Sequence, residues 1–198
     1  YTFCNKTKFY YLLVDHNIRK NSSQEAKKVK NLLKKEHLNL KVLLNKKKII
    51  KNIQHNARNV RYSLLEKECK NKKIRFILTA HHKEDQIETF LIRLSRGSGV
   101  QGLSAMNSLA SLNNNIKIFR PFLSNSKKEL VFTSKKVFGT FIKDPSNKNK
   151  KFLRSGMRKL LPILKKYGIK EDQIIRSINN LKSSSQTINV YFKDIIKK

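Results

Sequence analysis

The apolar positions in the first half of the chain alternate between short continuous runs and stretches with helical spacing. Short apolar runs between polar residues predict strands, and apolar residues recurring every three or four positions predict helices. In chain order the pattern gives a strand at 9–15, a helix from Ser22, a strand at 40–44, a helix at 53–70, a strand at 74–79 and a helix at 84–94. This alternation indicates an α/β fold, with a parallel sheet covered by helices on both faces.

The second half of the chain is predicted to become helical towards its end. Two helices should begin with a capping box, because Ser22 precedes Glu25, and Ser126 precedes Glu129, by three positions. The expected elements are a loop at 97–102, a strand at 116–119, a helix from Ser126 to about Lys136, an extended segment at 138–142, a turn at 144–147 and a helical stretch from Phe152, broken near Pro162 and Gly168. We therefore expect an α/β domain over residues 1–150 and a small helical region over residues 151–198.

Composition favours a folded, cytoplasmic protein. Hydrophobic residues make up 38% of the 198 positions, which is enough for a core. No apolar run approaches the roughly 18 residues of a membrane span, and the first residues lack the pattern of a secretory signal. Two distant cysteines, Cys4 and Cys69, exclude a disulfide scaffold and argue against a cysteine-ligated metal cluster.

The charge of the chain narrows the class of partner. Lys and Arg number 45 against 13 Asp and Glu, for a formal net charge of +32. Such a charge attracts polyanions, so nucleic acid is the favoured partner and an anionic membrane surface the second. Lys, Asn and Ile are all abundant here and have A/T-rich codons, so genome composition is an alternative source of part of this charge.

Carboxylates are scarce, yet three of them lie together at Glu84, Asp85 and Glu88. The cluster falls where a strand is predicted to end and a helix to begin, the usual position of ligands in open α/β sheets. On a continuous helix, His81, Asp85 and Glu88 would share one face. Two carboxylates there could hold an ammonium group or a hydrated Mg²⁺; the alternative is a solvated acidic patch.

The glycine-rich segment at 97–102 matches G-x-G-x-x-G, but a helix rather than a strand is predicted before it. A dinucleotide site needs the strand, so we reject that interpretation and expect either a flexible turn or a backbone that approaches a phosphate or base closely. On the helix at 53–70, Arg58 and Arg61 share a face suited to phosphate contact; a plain basic surface is the alternative. His16, after the first strand, is more often structural than catalytic.

Taken in order, these segments resemble tRNA(Ile)-lysidine synthetases, which are PP-loop (N-type ATP pyrophosphatase) enzymes. The likeness covers about residues 9–165. Its motifs are residues 14–19 (similar to VDHxLR), 52–62 (NxQxxARxxRY), 78–89 (LTAHHxxDQxET), 91–103 (LxRLxRGSGxxGL), 120–123, 144–147 and the helix with Arg154, Arg158 and Pro162.

The resemblance implies an adenine nucleotide alpha hydrolase-like fold followed by a small helical domain. It also implies a reaction in which ATP adenylates the C2 oxygen of the wobble cytidine and the ε-amine of free L-lysine then displaces AMP. Isoleucine tRNA with a CAU anticodon would be the partner, and ATP and Mg²⁺ are implied. The oligomeric state is left open, with a homodimer as one option.

Carried over residue by residue, the resemblance also assigns roles. Asp85 and Glu88 would bind the substrate lysine, Arg61 would stabilise developing phosphate charge, and His81 and His82 would border the active site. ATP contacts are implied for Asp15 and His16, and RNA contacts for Arg58, Arg96, Gly97, Gly99, Arg154 and Arg158.

The sequence departs from the family pattern at two places. It contains no SGGxDS phosphate loop and starts at Tyr1, so we expect an N-terminally truncated fragment whose 198 residues are inactive alone. Ser155-Gly156 replaces a larger polar or basic residue. Two alternatives stay open: an inactive tRNA-binding remnant, and another PP-loop tRNA-modifying enzyme such as a thiolase, although the latter often carries paired cysteines that this sequence lacks.

Overall fold

The computed structural model describes residues 8–19, 21–142 and 153–196, which form two compact units, residues 1–75 and 76–198. The first unit contains β1 (Tyr11–Asp15), α1 (Ser22–Lys35), β2 (Leu40–Leu44) and α2 (Ile53–Lys72). The second contains β3 (Phe76–Leu78), α3 (Lys83–Leu94), α4 (Val100–Leu103), β4 (Leu109–Ser111), β5 (Lys117–Phe119), α5 (Lys127–Phe138), α6 (Leu153–Lys166) and α7 (Glu171–Ile196).

In the first unit β1 and β2 pair in parallel, from Tyr11 opposite Leu40 to Asp15 opposite Leu44. The two strands end level with each other, so the residues that follow them meet at one edge. Helix α2 is joined to β2 by an ion pair, because Lys41 Nζ lies 2.7 Å from a carboxylate oxygen of the buried Glu68.

The predicted capping box at Ser22 is wrong. Asn21 is the N-cap of α1 and makes no side-chain cap hydrogen bond. Glu25 instead accepts a hydrogen bond from Arg19 Nη2 at 2.9 Å. A charged donor forms a stronger bond than a neutral backbone N–H, and this explains the exchange of partners.

The apolar run at 9–15 predicts a buried strand that ends on a carboxylate, and this is wrong for its first residues. Strand β1 starts at Tyr11, two residues later than predicted, and Phe9, Tyr10 and Tyr11 are all exposed. Its last residue, Asp15, is the buried one. A polar residue is therefore the best-covered position of this strand, and its burial places a carboxylate at the strand end.

In the second unit β5 pairs in parallel with β3 and antiparallel with β4. The sequence pattern did not predict β4, a strand of three residues in a polar stretch. It is held by a hairpin turn in which Asn113 Oδ1 accepts from the backbone N–H groups of Asn115 and Ile116 at 2.9 and 2.8 Å. Such side-chain turns are typical of asparagine.

Helices α3, α6 and α7 share one core. Its buried residues are Ile87, Leu91, Ala105, Ile174 and Ile178, with Met157, Leu161 and Leu164 of α6 packed against them. The C-terminal helices therefore cover α3, the helix that carries the acidic cluster. The expected domain boundary at residue 150 falls outside the described residues, as do the turn at 144–147 and Cys4, and stays a prediction.

In the C-terminal half the structure confirms some of the helix boundaries predicted from local sequence and contradicts one. The capping box at Ser126 and Glu129 is confirmed, with Glu129 accepting from the Ser126 N–H at 2.6 Å. The predicted break near Pro162 is wrong, since α6 runs through this proline to Lys166, while Gly168 at φ +86° does separate α6 from α7.

The described chain has no helix that is both long and apolar enough to span a membrane.

The packing of α7 predicts a contrast between two isoleucines. Ile178 is 2% exposed in the core, and Ile188 on the same helix is 46% exposed. Ile178→Ala should lower the free energy of unfolding by about 2–5 kcal/mol, because it leaves a cavity. Ile188→Ala should cost about 0.5 kcal/mol or less. Urea denaturation measures both, and equal losses would contradict the packing described here.

Candidate active site

The junction between β3 and α3 places the acidic cluster. His82 is the N-cap of α3, its N–H donates to Asp85 Oδ2 at 3.1 Å, and its carbonyl accepts from the Asp85 N–H at 3.0 Å. His81 lies before the helix, with its Nδ1 2.9 Å from Thr79 Oγ1. The expected single face of His81, Asp85 and Glu88 is therefore wrong, because the helix begins at Lys83. Asp85 and Glu88 alone share a face.

The carboxylates of the cluster are not a solvated patch. Asp85 is 8% exposed and Glu88 only 1%. Glu84 accepts from the backbone N–H of Lys127 with both oxygens, at 3.0 and 2.9 Å, and so caps the first turn of α5. Each carboxylate thus has a defined partner, which fixes its position.

Glu88 is held by an arginine from α6. Arg158 Nε lies 2.5 Å from Glu88 Oε1 and Arg158 Nη2 lies 3.3 Å from Oε2. The hydrogen bond that Arg158 donates to Glu88 raises the pKa of Arg158, against the effect of burial, and the charge of Asp85 adds to it. The resemblance assigned Arg158 to RNA; the structure places its side chain on Glu88.

The start of α3 is also tied to α7. Lys83 Nζ lies 2.5 Å from Asp172 Oδ1, and the Lys83 N–H donates to the Asn125 carbonyl at 2.9 Å. The hydrogen bond to Asp172 raises the pKa of Lys83. Residues 82–88 therefore contact α5, α6 and α7, which makes the acidic segment the meeting point of the second unit.

In the first unit the buried carboxylate of Asp15 holds the turn after β1. It accepts from the Asn17 N–H at 2.9 Å and from Ser23 Oγ at 2.8 Å. Burial raises the pKa of Asp15, but these hydrogen bonds outweigh it and the net pKa is lowered. Asn45, at the end of β2, donates its N–H to the Asp15 carbonyl at 2.8 Å.

His16 and Arg61 meet beside this turn, with His16 Nε2 3.4 Å from Arg61 Nη2. Burial lowers the pKa of His16, the positive charge of Arg61 lowers it further, and the charge of Asp15 opposes both. The ring is therefore neutral at pH 7, and its Nε2 accepts from the guanidinium. Arg61 is thereby given a fixed direction.

The proposed RNA-contacting residues occupy two other surfaces. Arg58 stacks on Tyr62, 4.9 Å from the ring centre, along the exposed face of α2. In the other unit, Arg96 and Gly97 lie directly after α3, and Arg93 holds the loop by donating to the Gly102 carbonyl at 2.6 Å. As predicted, a helix rather than a strand precedes the glycine-rich segment.

Glycine is favoured at two positions of the segment 97–102: Gly97 has a φ of +69°, in the left-handed region, and Gly102 lies close to Ser98. A Cβ at Gly102 would lie 2.7 Å from Ser98 Cβ, closer than real Cβ contacts.

Among the residues proposed to contact RNA, Arg154 lies half-buried on α6, one turn before Arg158.

Sequence reasoning missed the partners that set the geometry. Ser23, Asn45, Arg93 and Asp172 were not singled out, and Arg158 was assigned elsewhere. One signal was available: Asn45 follows β2 as His16 follows β1, so the register of parallel strands brings polar residues together. Among the residues that the structure describes, no group of three or more His, Cys, Asp or Glu is arranged to hold a metal ion.

Comparison with known proteins shows the family to which the chain that carries these motifs belongs. A family model described as a PP-loop domain matches residues 2–164. The tRNA(Ile)-lysidine synthase of Wolbachia pipientis wMel is 39% identical over 182 residues, which cover 91% of this chain and 42% of that protein. That of Rhodopseudomonas palustris is 37% identical over 164 residues, covering 82% and 47%. The chain thus spans less than half the length of these two curated relatives.

A solved structure confirms the fold class. The U34-tRNA thiolase NcsA of Methanococcus maripaludis, solved with its 4Fe–4S cluster, matches with a TM-score of 0.67 at 15% identity, covering 86% of this chain and 60% of that one. The match supports the predicted α/β fold of adenine nucleotide alpha hydrolase type, with helices at its C-terminal end. Identity this low carries information on the fold alone.

The contact between His16 and Arg61 predicts a titration shift. Arg61→Met removes a positive charge, so the pKa of His16 should rise while staying below its ordinary value, because burial remains. Arg58→Met, on the same helix, is the matched control and should leave it unchanged. NMR titration of the histidine ring protons measures this, and an unmoved His16 pKa in Arg61→Met would contradict the contact.

Proposed function

The chain belongs to the PP-loop domain family, and from this premise we propose that its protein ligates lysine to C2 of the wobble cytidine of an isoleucine tRNA with a CAU anticodon. In the first step the C2 oxygen attacks the α-phosphorus of ATP and pyrophosphate leaves. In the second the ε-amine of free L-lysine attacks C2, the carbon–oxygen bond breaks, and AMP leaves with that oxygen. The names of the curated relatives support this substrate and product.

The observation that carries the proposal is the buried pair Asp85 and Glu88 on one face of α3. In a chain of charge +32 a cationic substrate is repelled by most of the surface, so its site needs concentrated negative charge. The carboxylate of Asp85 attracts the lysine ammonium. It is also proposed to accept the proton that the ε-ammonium must lose before it attacks.

Arg61 is proposed to stabilise the negative charge that develops on the phosphate. A guanidinium already fixed by His16 loses little freedom when it binds an anion, and such preorganised charges are effective at stabilising a transition state. His81 and His82 are proposed to border the lysine site. The tRNA is proposed to contact Arg58, Arg96, Gly97, Gly99 and Arg154, and the overall charge speeds its capture.

ATP use follows from the PP-loop family, with contacts proposed at His16 and at the turn that Asp15 holds. Mg²⁺ is expected to accompany the ATP phosphates. The described residues do not by themselves fit a magnesium site, because Asp85 binds the His82 N–H and Glu88 binds Arg158. No step of the mechanism is therefore assigned to the metal.

Asp85→Asn tests the proposal in protein expressed from the complete coding sequence. Transfer of labelled lysine to a CAU-anticodon isoleucine tRNA should fall by about 100-fold or more, because the substrate loses its charge partner and base. Release of pyrophosphate from ATP should persist. Glu171→Gln also replaces a carboxylate by an amide, but at an exposed site on α7, and should leave lysine transfer intact.

Other outcomes identify the other functions. Normal lysine transfer by Asp85→Asn would remove this residue from the mechanism. Incorporation of sulfur instead of lysine by the unchanged protein would indicate a thiolase. Salt-sensitive tRNA binding without pyrophosphate release would indicate a binding protein that carries out no chemistry.

A further inference from the structure

Glu88 and Arg158 are joined in a way that a surface contact would not require. Glu88 is 1% exposed, and two nitrogens of one guanidinium approach its two oxygens. Arginine is suited to this because its planar fork matches the carboxylate and keeps its charge. The pair spans 70 residues of sequence and joins α3 to α6.

On the face of α3 that carries Asp85 and Glu88, the side-chain charges suit a substrate group with one positive charge. Asp85 and Glu88 together carry two negative charges, and Arg158 carries one positive charge. Without Arg158, two buried carboxylates on one helix face would repel each other. With Arg158 paired to Glu88, the charge of Asp85 is the one left on this face, and it equals in size the charge of a single ammonium.

The two carboxylates also differ in what they can reach. Both oxygens of Glu88 face the guanidinium, whereas the contacts of Asp85 with the His82 N–H, at 3.1 Å, and with His82 Nε2, at 3.5 Å, both use Oδ2. Asp85 is therefore better placed to meet an incoming amine, while Glu88 and Arg158 form the support behind it.

We propose that Arg158 is a positioning residue of the lysine site rather than an RNA contact: by pairing with Glu88 it holds that carboxylate in place, and leaves Asp85 to the substrate ammonium. The inference rests on the proposed function. It assigns to α6 a direct part in lysine selection, because the helix supplies the counter-charge that sets the net charge of the site.

The test compares the effect of each substitution on KM for lysine with its effect on KM for tRNA. Both constants are measured on protein expressed from the complete coding sequence. Arg158→Gln should raise KM for lysine by about 10- to 100-fold, since a misplaced binding group costs about that much, and leave KM for tRNA within about twofold. Arg158→Lys keeps the positive charge but loses the planar fork of the guanidinium. Its KM for lysine should therefore lie between that of the unchanged protein and that of Arg158→Gln. Lys165→Gln, exposed on the same helix, should change neither constant.

Two further variants guard against a purely structural effect. Glu88→Gln combined with Arg158→Gln removes both charges of the pair, so it should melt closer to the unchanged protein than Arg158→Gln alone, which leaves Glu88 buried without its partner. Its KM for lysine should still be raised. Arg154→Gln, at a proposed RNA contact one turn away, should instead raise KM for tRNA and leave KM for lysine unchanged.

Three results would overturn the inference. A raised KM for tRNA with an unchanged KM for lysine in Arg158→Gln would make Arg158 an RNA contact. A double variant with normal KM for lysine would make the pair merely structural. Absence of lysine transfer in the unchanged protein would remove the proposed function itself, and this inference with it.

Discussion

The buried carboxylate of Glu88 is the constraint on which the rest of the second unit's site depends. A charge that is 1% exposed is destabilising unless it is paired and hydrogen-bonded, and its partner must come from another element. Arg158 of α6 is that partner. The requirement therefore fixes the position of α6 on α3, and with it the apolar contacts of Met157 and Leu161 with the core.

The neighbouring carboxylates extend the same principle. Glu84 caps the first turn of α5, and Asp85 closes the first turn of its own helix. Lys83, between the histidines and these acids, binds Asp172 of α7. A segment of seven residues thus connects four helices. In a chain with only 13 acidic residues, this concentration of negative charge gives one place where a cation is attracted rather than repelled.

Local signals predicted the elements that depend on local interactions. Strand β2, the start of α2 at Ile53 and the end of α3 at Leu94 agree with the apolar pattern, and the capping box at Ser126 forms as expected. The box at Ser22 failed because Arg19 competed for Glu25. The three-residue strand β4 exists only through its pairing with β5, which no local pattern encodes.

The residues of the candidate site were likewise only partly predictable from local sequence. Residue types and spacing singled out Arg61, Asp85 and Glu88, but their partners lie far off in sequence: His16 is 45 residues from Arg61, and Arg158 is 70 residues from Glu88. Such contacts are set by tertiary packing. The roles of these residues stay predictions.

The central claim is that this acidic face selects lysine for transfer to a tRNA base. Mass spectrometry of the nucleosides from isoleucine tRNA, after incubation with the protein, ATP and lysine, tests it most directly. The wobble cytidine should gain the mass of lysine less one water. An unmodified cytidine, or one in which sulfur replaces oxygen, would contradict it.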